Sequence, residues 1–384
     1  SFPTRRSSDL LPLPPVGDPS QDSPALELLM ARVRALDAGF VLADADRPLA
    51  MGLCRRLDGL PLAIELAAVR IPALGLRGVL ARLQDSLHLL TRGAAPHRHA
   101  TLAAALAWSV SLLDPPLQEL YSALGVLSGS FGIQLALAVG TARGLDEWAV
   151  LDGIGQLVDH SLLVTEPSGE LPRLRQLETA RAYALQRLHA AGDLPQLRRC
   201  QAEAVCRLLS NNGLARETGR MSGDAVLQAV RDELDNVRAA MNWVLDAPDY
   251  PFLPMNGSAP ATAPACLTER AAIGHSIVAD AWPAMMFVGL HHEATRWMLA
   301  LLPNLSDTTP PRTAGFMLLG LGKIGLSTTV LEPHQRHALL NRARAQLDNL
   351  PRTEYAMAVR QTLAQSACQL GFAAEALATV DEAV

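Results

Sequence analysis

The residues of this chain that could do chemistry are few, so their neighbours decide what each can be. Lys323 is the only lysine among 384 residues, and it stands in Gly320-Leu321-Gly322-Lys323-Ile324-Gly325. That string matches Gly-x-Gly-x-x-Gly, whose glycines let a backbone approach a dinucleotide pyrophosphate in hydride-transfer enzymes. The surrounding pattern is helical and no acidic residue stands about twenty residues on, so close helix packing is the better reading. Nor can Lys323 serve a nucleotide phosphate loop, which ends in Gly-Lys-Ser/Thr so that backbone N–H groups and a lysine meet the phosphates. Here Ile324 follows the lysine, and Met317 stands five before Gly322. His97 and His99, or the pair His291 and His292, could ligate a metal, but no cysteine or acid stands at ligand spacing; the expected metal set is none. Cys54, Cys200, Cys206, Cys266 and Cys368 lack Cys-x-x-Cys spacing and read as reduced thiols, none of them a nucleophile. No residue is nominated as catalytic.

Composition narrows the class. The net charge is −5 with no basic run, which argues against wholesale binding to nucleic acid or anionic lipid. About half the residues are apolar (49%), yet no membrane-length apolar run occurs, so a soluble, cytoplasmic protein is expected. The preference for arginine over lysine fits GC-rich codon usage and carries no functional weight.

The elements that must position these residues are mainly helices. Residues 1–10, "SFPTRRSSDL", resemble one translated frame of a sequencing-library adaptor and are set apart from the fold. A proline-rich linker occupies 11–22. The chain ends inside a helical pattern, so truncation is expected at both ends. In the helical subdomain expected over 23–97, one helix carries Leu26, Leu29, Val33 and Leu36 on a single face. A second carries Leu49, Leu53, Cys54 and Leu57 and stops at Asp58-Gly59. Pro61 starts a third, with Leu60, Ile64, Ala67 and Ile71 inward. Glycine can take the left-handed conformation that ends a helix, and proline costs nothing where its N–H would be unpaired, so Gly59-Leu60-Pro61-Leu62 is a sharp turn between packed helices.

Over 98–191, helices inward at Leu102, Leu106 and Leu113, then at Leu117, Leu120, Tyr121 and Leu124, precede helices near Ile133–Val139 and Asp146–His160. Two short strands follow, "SLLVT" and "RLRQL", and a helix ending at Gly192 closes the set. That is a winged helix with a two-stranded wing. A helical connector over 192–247, with helices at Leu194–Leu209 and Asp224–Leu245, leads to a loop at 248–267. Over 268–384 helices recur in pairs, and "AMAVRQTLAQSACQLGFAAEALATVDEA" has the spacing of a tetratricopeptide-like unit.

Five quoted stretches occur in a telling order: "LCRRLDGLPLAIELAAVRI", "RHATLAAALAWSVSLLDPPLQELYSALGVLSGSFGIQLALAV", "LVDHSLL", "RLRQLETARAYALQRL" and "ELDNVRAAMNWVL". Together they resemble bacterial NB-ARC-like regulatory ATPases, the signal-transduction ATPases with numerous domains, over residues 23–245. The resemblance implies a nucleotide-binding domain, the GLPL helical domain, a winged helix and a repeat sensor, often in a transcriptional regulator with a separate DNA-binding domain. It implies that ATP or ADP, with magnesium, binds the intact protein, and that Gly59, Leu60, Pro61 and Leu62 lie beside the base and ribose, the leucines walling a flat base. Two departures count. No phosphate loop precedes the turn, nor does a strand ending in paired acids, so this chain is expected to hold no nucleotide tightly and to hydrolyse none. The histidine that reads a phosphate in plant and animal relatives is matched by Leu177.

The helix from Asp146 carries Glu147, Asp152 and Asp159 and no Lys or Arg, which would repel a duplex. Arg173, Arg175, Arg181 and Arg187 read as a solvated face. The winged helix is therefore expected to act as an intramolecular lever, with partners in the lost nucleotide-binding and DNA-binding domains, an inducer at the repeats, and a nucleotide-dependent oligomer. The competing reading is a stand-alone helical scaffold for a protein partner.

Overall fold

The computed structural model describes residues 24–57, 59–90, 105–167, 172–217, 221–245, 267–326, 330–348, 350 and 353–381. The readings made for 1–10 and 11–22, for His97, His99, Leu102 and Cys266, and for most of the 248–267 loop lie outside those residues. The fold is mainly α. Ser1–Val126 with Val139–Leu194 form one compact unit, and Leu127–Ala138 with Pro195–Val384 form a second.

The first unit opens with α1 (Pro24–Leu36), α2 (Arg47–Arg56), α3 (Pro61–Ala68) and α4 (Ile71–Leu90), the last interrupted at Gly75, whose φ is 68°. Leu26, Leu29 and Val33 are buried as the spacing requires, but Leu36 ends α1 and is 51% exposed. Leu29, Leu53, Leu57 and Ile64 reach 0% exposure and form the core around the α2–α3 turn. Ala50 and Met51 are buried in α2, whereas Leu49 is only half-buried.

A helix described over 105–111 (α5) leads to α6 (Pro115–Leu124), strand β1 (Ser130–Phe131), α7 (Ile133–Thr141), α8 (Glu147–Asp159), β2 (Val164–Glu166), β3 (Arg173–Arg175) and α9 (Glu178–Ala191). The order helix, strand, helix, helix, strand, strand is that of a winged helix. The expected two-stranded wing is the antiparallel β2–β3 pair, with Thr165 opposite Leu174, and β1 adds a third strand to give the order β1-β3-β2. β2 also begins later than expected. Ser161 takes a φ of 57°, and the N–H groups of Leu162 and Leu163 both donate to the Leu157 carbonyl, so these residues close α8 and do not enter the sheet. Asp146 caps α8, its Oδ1 accepting from the Ala149 N–H at 2.8 Å. Gly192, at φ 78°, ends α9.

The second unit continues with α10 (Leu194–Glu217), longer than the expected stop at Leu209, then α11 (Gly223–Asp232) and α12 (Leu234–Val244). These last two were expected as one helix. The chain departs from helix at Glu233, whose buried carboxylate serves a different partner. Helices α13 (Leu267–Phe287), α14 (His291–Leu301), α15 (Pro311–Gly325), α16 (Pro333–Leu347), α17 (Thr353–Leu370) and α18 (Ala373–Asp381) follow in pairs, with Gly289 and Gly371 both at φ 78° in the turns after α13 and α17.

Candidate functional site

The Gly59–Leu62 turn is built from both of its ends. Gly59 sits at φ 64°, and its N–H donates to the Cys54 carbonyl at 3.1 Å while that of Leu60 donates to Leu57 at 2.9 Å. These bonds satisfy carbonyls left open at the end of α2. Leu60 is extended, Pro61 is the first residue of α3, and the Ile64 N–H donates to the Leu60 carbonyl at 3.0 Å. Of the residues expected beside a base, Leu60 and Leu62 are each only 8% exposed and pack into the core of this unit. Gly59 and Pro61 are half-buried, so the glycine backbone and the proline ring are what this turn offers outward.

Neither Lys323 nor Leu177 is placed to supply the phosphate side of a nucleotide. Lys323 lies inside α15, and its neighbouring glycines serve helix packing: a Cβ on Gly322 would fall 2.2 Å from Leu340 Cδ2, and one on Gly320 would fall 3.0 Å from the Trp282 ring. Leu177 occupies the N-cap of α9 and makes no side-chain cap bond. Burial pushes the Cys54 thiol up to about 12, and it also raises Cys200 and Cys206, so none of these is an activated nucleophile. Among the described residues, no group of three or more His, Cys, Asp or Glu is gathered as a metal site would need.

The winged helix presents α8 outward. Glu147, Asp152 and Asp159 are exposed, and Trp148 is 81% exposed beside them. The arginines of the wing and of α9 are largely committed within the unit. Arg175 donates to Glu166 at 2.6 Å and Arg181 to Glu178 at 3.2 Å. Arg187, expected on a solvated face, instead reaches Ser122 Oγ at 3.1 Å and Gln118 Oε1 at 3.2 Å. With the Tyr121 hydroxyl donating to the Ala180 carbonyl at 2.6 Å, it ties α9 to α6.

The last quoted stretch, "ELDNVRAAMNWVL", has a role that its sequence did not reveal. Asn236 is 0% exposed. Its Oδ1 accepts from the Ser128 N–H at 2.8 Å, while Nδ2 donates to the Ser130 carbonyl at 3.2 Å and to Glu233 Oε2 at 2.8 Å. Glu233 Oε1 accepts from the Gly132 N–H at 2.9 Å, and Gln201 Nε2 donates to the Asn236 carbonyl at 2.9 Å. Glu233 and Asn236 thus clamp the segment that carries β1. The only signal was the pair of polar residues flanking Leu234 and Asp235, at the start of a helix that also carries Arg238 and Asn242.

No protein-family model matches the chain. A Mycobacterium bovis protein named as a candidate HTH-type transcriptional regulator is 34% identical over 221 residues, which is 57% of this chain and 25% of that protein. A Mycobacterium tuberculosis protein of that same description aligns with identical figures. An uncharacterised Mycobacterium tuberculosis protein is 36% identical over 173 residues, 44% of each chain. This chain therefore spans about a quarter of the length of the regulators it matches. A Pyrococcus horikoshii signal-transduction ATPase with numerous domains and a tetratricopeptide repeat sensor is 10% identical with a TM-score of 0.33, covering 94% of this chain and 53% of its own.

Proposed function

We propose that this chain is the control portion of a nucleotide-switched regulator of the NB-ARC-like kind, acting in transcription. The observation that carries the reading is the similarity to HTH-type regulators over 221 residues, joined to the ordered GLPL turn, winged helix and clamp. In this reading the winged helix is an intramolecular lever, and the clamp at Asn236 passes movement of the repeats to β1. The paired helices beyond α12 sense an inducer, the intact protein oligomerises in the cytoplasm, and the partners of this chain are the nucleotide-binding and DNA-binding parts of the same protein.

The residues present do not fit a whole nucleotide. Gly59 and Pro61 supply one edge for the base, and the glycine-rich phosphate loop, with magnesium, is assigned to residues outside this chain. This chain alone is accordingly no ATPase, and sustained phosphate release from a pure preparation would refute that.

The genomic DNA upstream tests the switch directly. A glycine-rich loop ending in Gly-Lys-Ser/Thr, encoded in frame, is the expected result. A stop followed by a start codon near Leu11 would overturn it in favour of a free-standing scaffold. The lever assignment also expects no binding of the chain to mixed-sequence duplex DNA at low salt, measured by anisotropy, because α8 opposes the phosphates with carboxylates.

A further inference from the structure

We propose that Arg70, Ser109 and His160 form an oxyanion-binding site, for a phosphate-class ligand, where the α3–α4 turn, α5 and the C-terminal end of α8 meet within the first unit.

Arg70 carries the argument. Its guanidinium is half-buried and makes one hydrogen bond, Nη2 donating to the Ser109 carbonyl at 3.2 Å. Its Nε is buried with no acceptor, and burial, with no carboxylate opposing it, pulls its titration down. Arg238 meets Glu293 and Arg312 meets Asp280, each at 2.9 Å, and the buried Arg336 has two neutral acceptors, Gly325 and Gln369, whereas Arg70 has the Ser109 carbonyl alone. A desolvated cation without a counter-charge is costly, and the cost falls when an anion arrives.

Two further buried polar atoms without a partner lie on the elements that meet Arg70. Ser109 is 0% exposed and its Oγ has no partner. His160, the C-cap of α8, buries Nδ1 without a partner. Burial first, and then the charge of Arg70, hold this imidazole below its usual range, against an opposing effect of Asp159, so His160 and Arg70 lie within electrostatic reach. The turn that places His160 is held by a non-glycine residue in the left-handed region, Ser161 at φ 57°. Such strain persists where surrounding structure fixes it.

Three elements of one compact unit therefore carry a cation, a hydroxyl and an imidazole, each with a buried polar atom that has no partner. A bound water could satisfy one or two of these atoms, but it would leave the charge of Arg70 unanswered. An oxyanion answers both needs through charge-assisted bonds and favours the imidazolium form of His160. The site is separate from the Gly59–Leu62 turn, because Pro61 opens α3 and Arg70 follows its end, about 12 Å of helix away. It also does not depend on the switch reading.

The test uses the full chain, titrated with inorganic phosphate against chloride at constant ionic strength. Thermal midpoint and the imidazole nitrogen resonances of His160 are the readouts. A saturable rise in midpoint is expected, with the His160 titration moving upward. Arg70→Gln should remove the saturable part, and His160→Gln should weaken it about tenfold. Arg32→Gln, which breaks only the exposed pair with Glu65, should leave it intact. Arg70→Lys, keeping the charge, covers the case in which Arg70→Gln does not fold, and should retain weakened binding. ADP and adenosine arms identify the source. Displacement of phosphate by ADP but not adenosine assigns a nucleotide-borne phosphate, and phosphate binding indifferent to both assigns a free oxyanion; either supports the site. A linear, non-saturating response, or a saturable one unchanged by Arg70→Gln and His160→Gln, overturns it.

Discussion

Replacing Asn236 by alanine should destabilise the second unit more than any exposed substitution of the same chemistry. The side chain is fully buried, and the change deletes its bonds with Ser128, Ser130 and Glu233. Two of the lost bonds join neutral groups, worth about 1 kcal/mol each, and the third meets a carboxylate, worth about 2 kcal/mol. The expected loss is thus about 4 kcal/mol, a large part of the 5–15 kcal/mol that roughly spans domain stabilities. Urea unfolding of the full chain measures it, read on the transition of the second unit, and amide exchange at Ser128 and Gly132 locates it. Gln228→Ala is the control: its bond to Asp232 at 2.7 Å is exposed, and the loss should stay below about 0.5 kcal/mol. Asn236→Asp keeps the acceptor for Ser128 but turns an oxygen toward Glu233. Its loss should exceed that of alanine at neutral pH and shrink on acidification, as two facing carboxylates come to share a proton. A loss for Asn236→Ala below about 1 kcal/mol, with Ser128 protected as before, would refute the clamp.

The remaining expectations concern packing and pH. Gly322→Ala places a Cβ 2.2 Å from Leu340 Cδ2 and should cost about 1–3 kcal/mol in thermal or urea unfolding. Gly155→Ala on the exposed face of α8 meets nothing within 4 Å and should stabilise by about 1 kcal/mol, so the two glycines must differ in sign. His275 is 2% exposed and its Nε2 lies 3.0 Å from the Leu301 carbonyl; burial lowers its titration, with that bond partly opposing. The unfolded chain therefore binds the proton more readily. Stability from this residue is complete above the ordinary 6.5 and is lost as pH falls toward the lower folded value. His160, lowered by burial and by Arg70, acts in the same sense. Urea midpoints should fall between neutral and mildly acidic pH, less so in His275→Gln, and a wild-type profile flat across that range would contradict the assignment.

What the sequence disclosed is what neighbours along the chain decide. Gly59 and Pro61 punctuate α2 and α3 through their own backbone chemistry, and Asp146 caps α8 three residues ahead of its partner, so these features were readable without a fold. Strand β1 was not, because two residues have no period. The break at Glu233 was hidden as well, since the apolar spacing of α11 and α12 runs through it and the carboxylate answers to Gly132, 101 residues away. At the turn itself, Leu60 and Leu62 were legible as apolar, but whether an apolar residue faces a ligand or a core depends on packing that no local pattern contains.

The same logic explains why Arg70 passed unnoticed. In a chain whose bases are almost all arginine, one more arginine after a helix carries no information, and its partner carbonyl lies 39 residues on. Its meaning comes from an absence that only tertiary structure can define: a desolvated guanidinium to which no acid has been brought. Polar groups are read by their partners, and here the partners are distant in sequence for Asn236, while for Arg70 a charged partner is missing. The first arrangement is complete and should resist change. The second is incomplete, and an oxyanion is the partner that its three polar groups have in common.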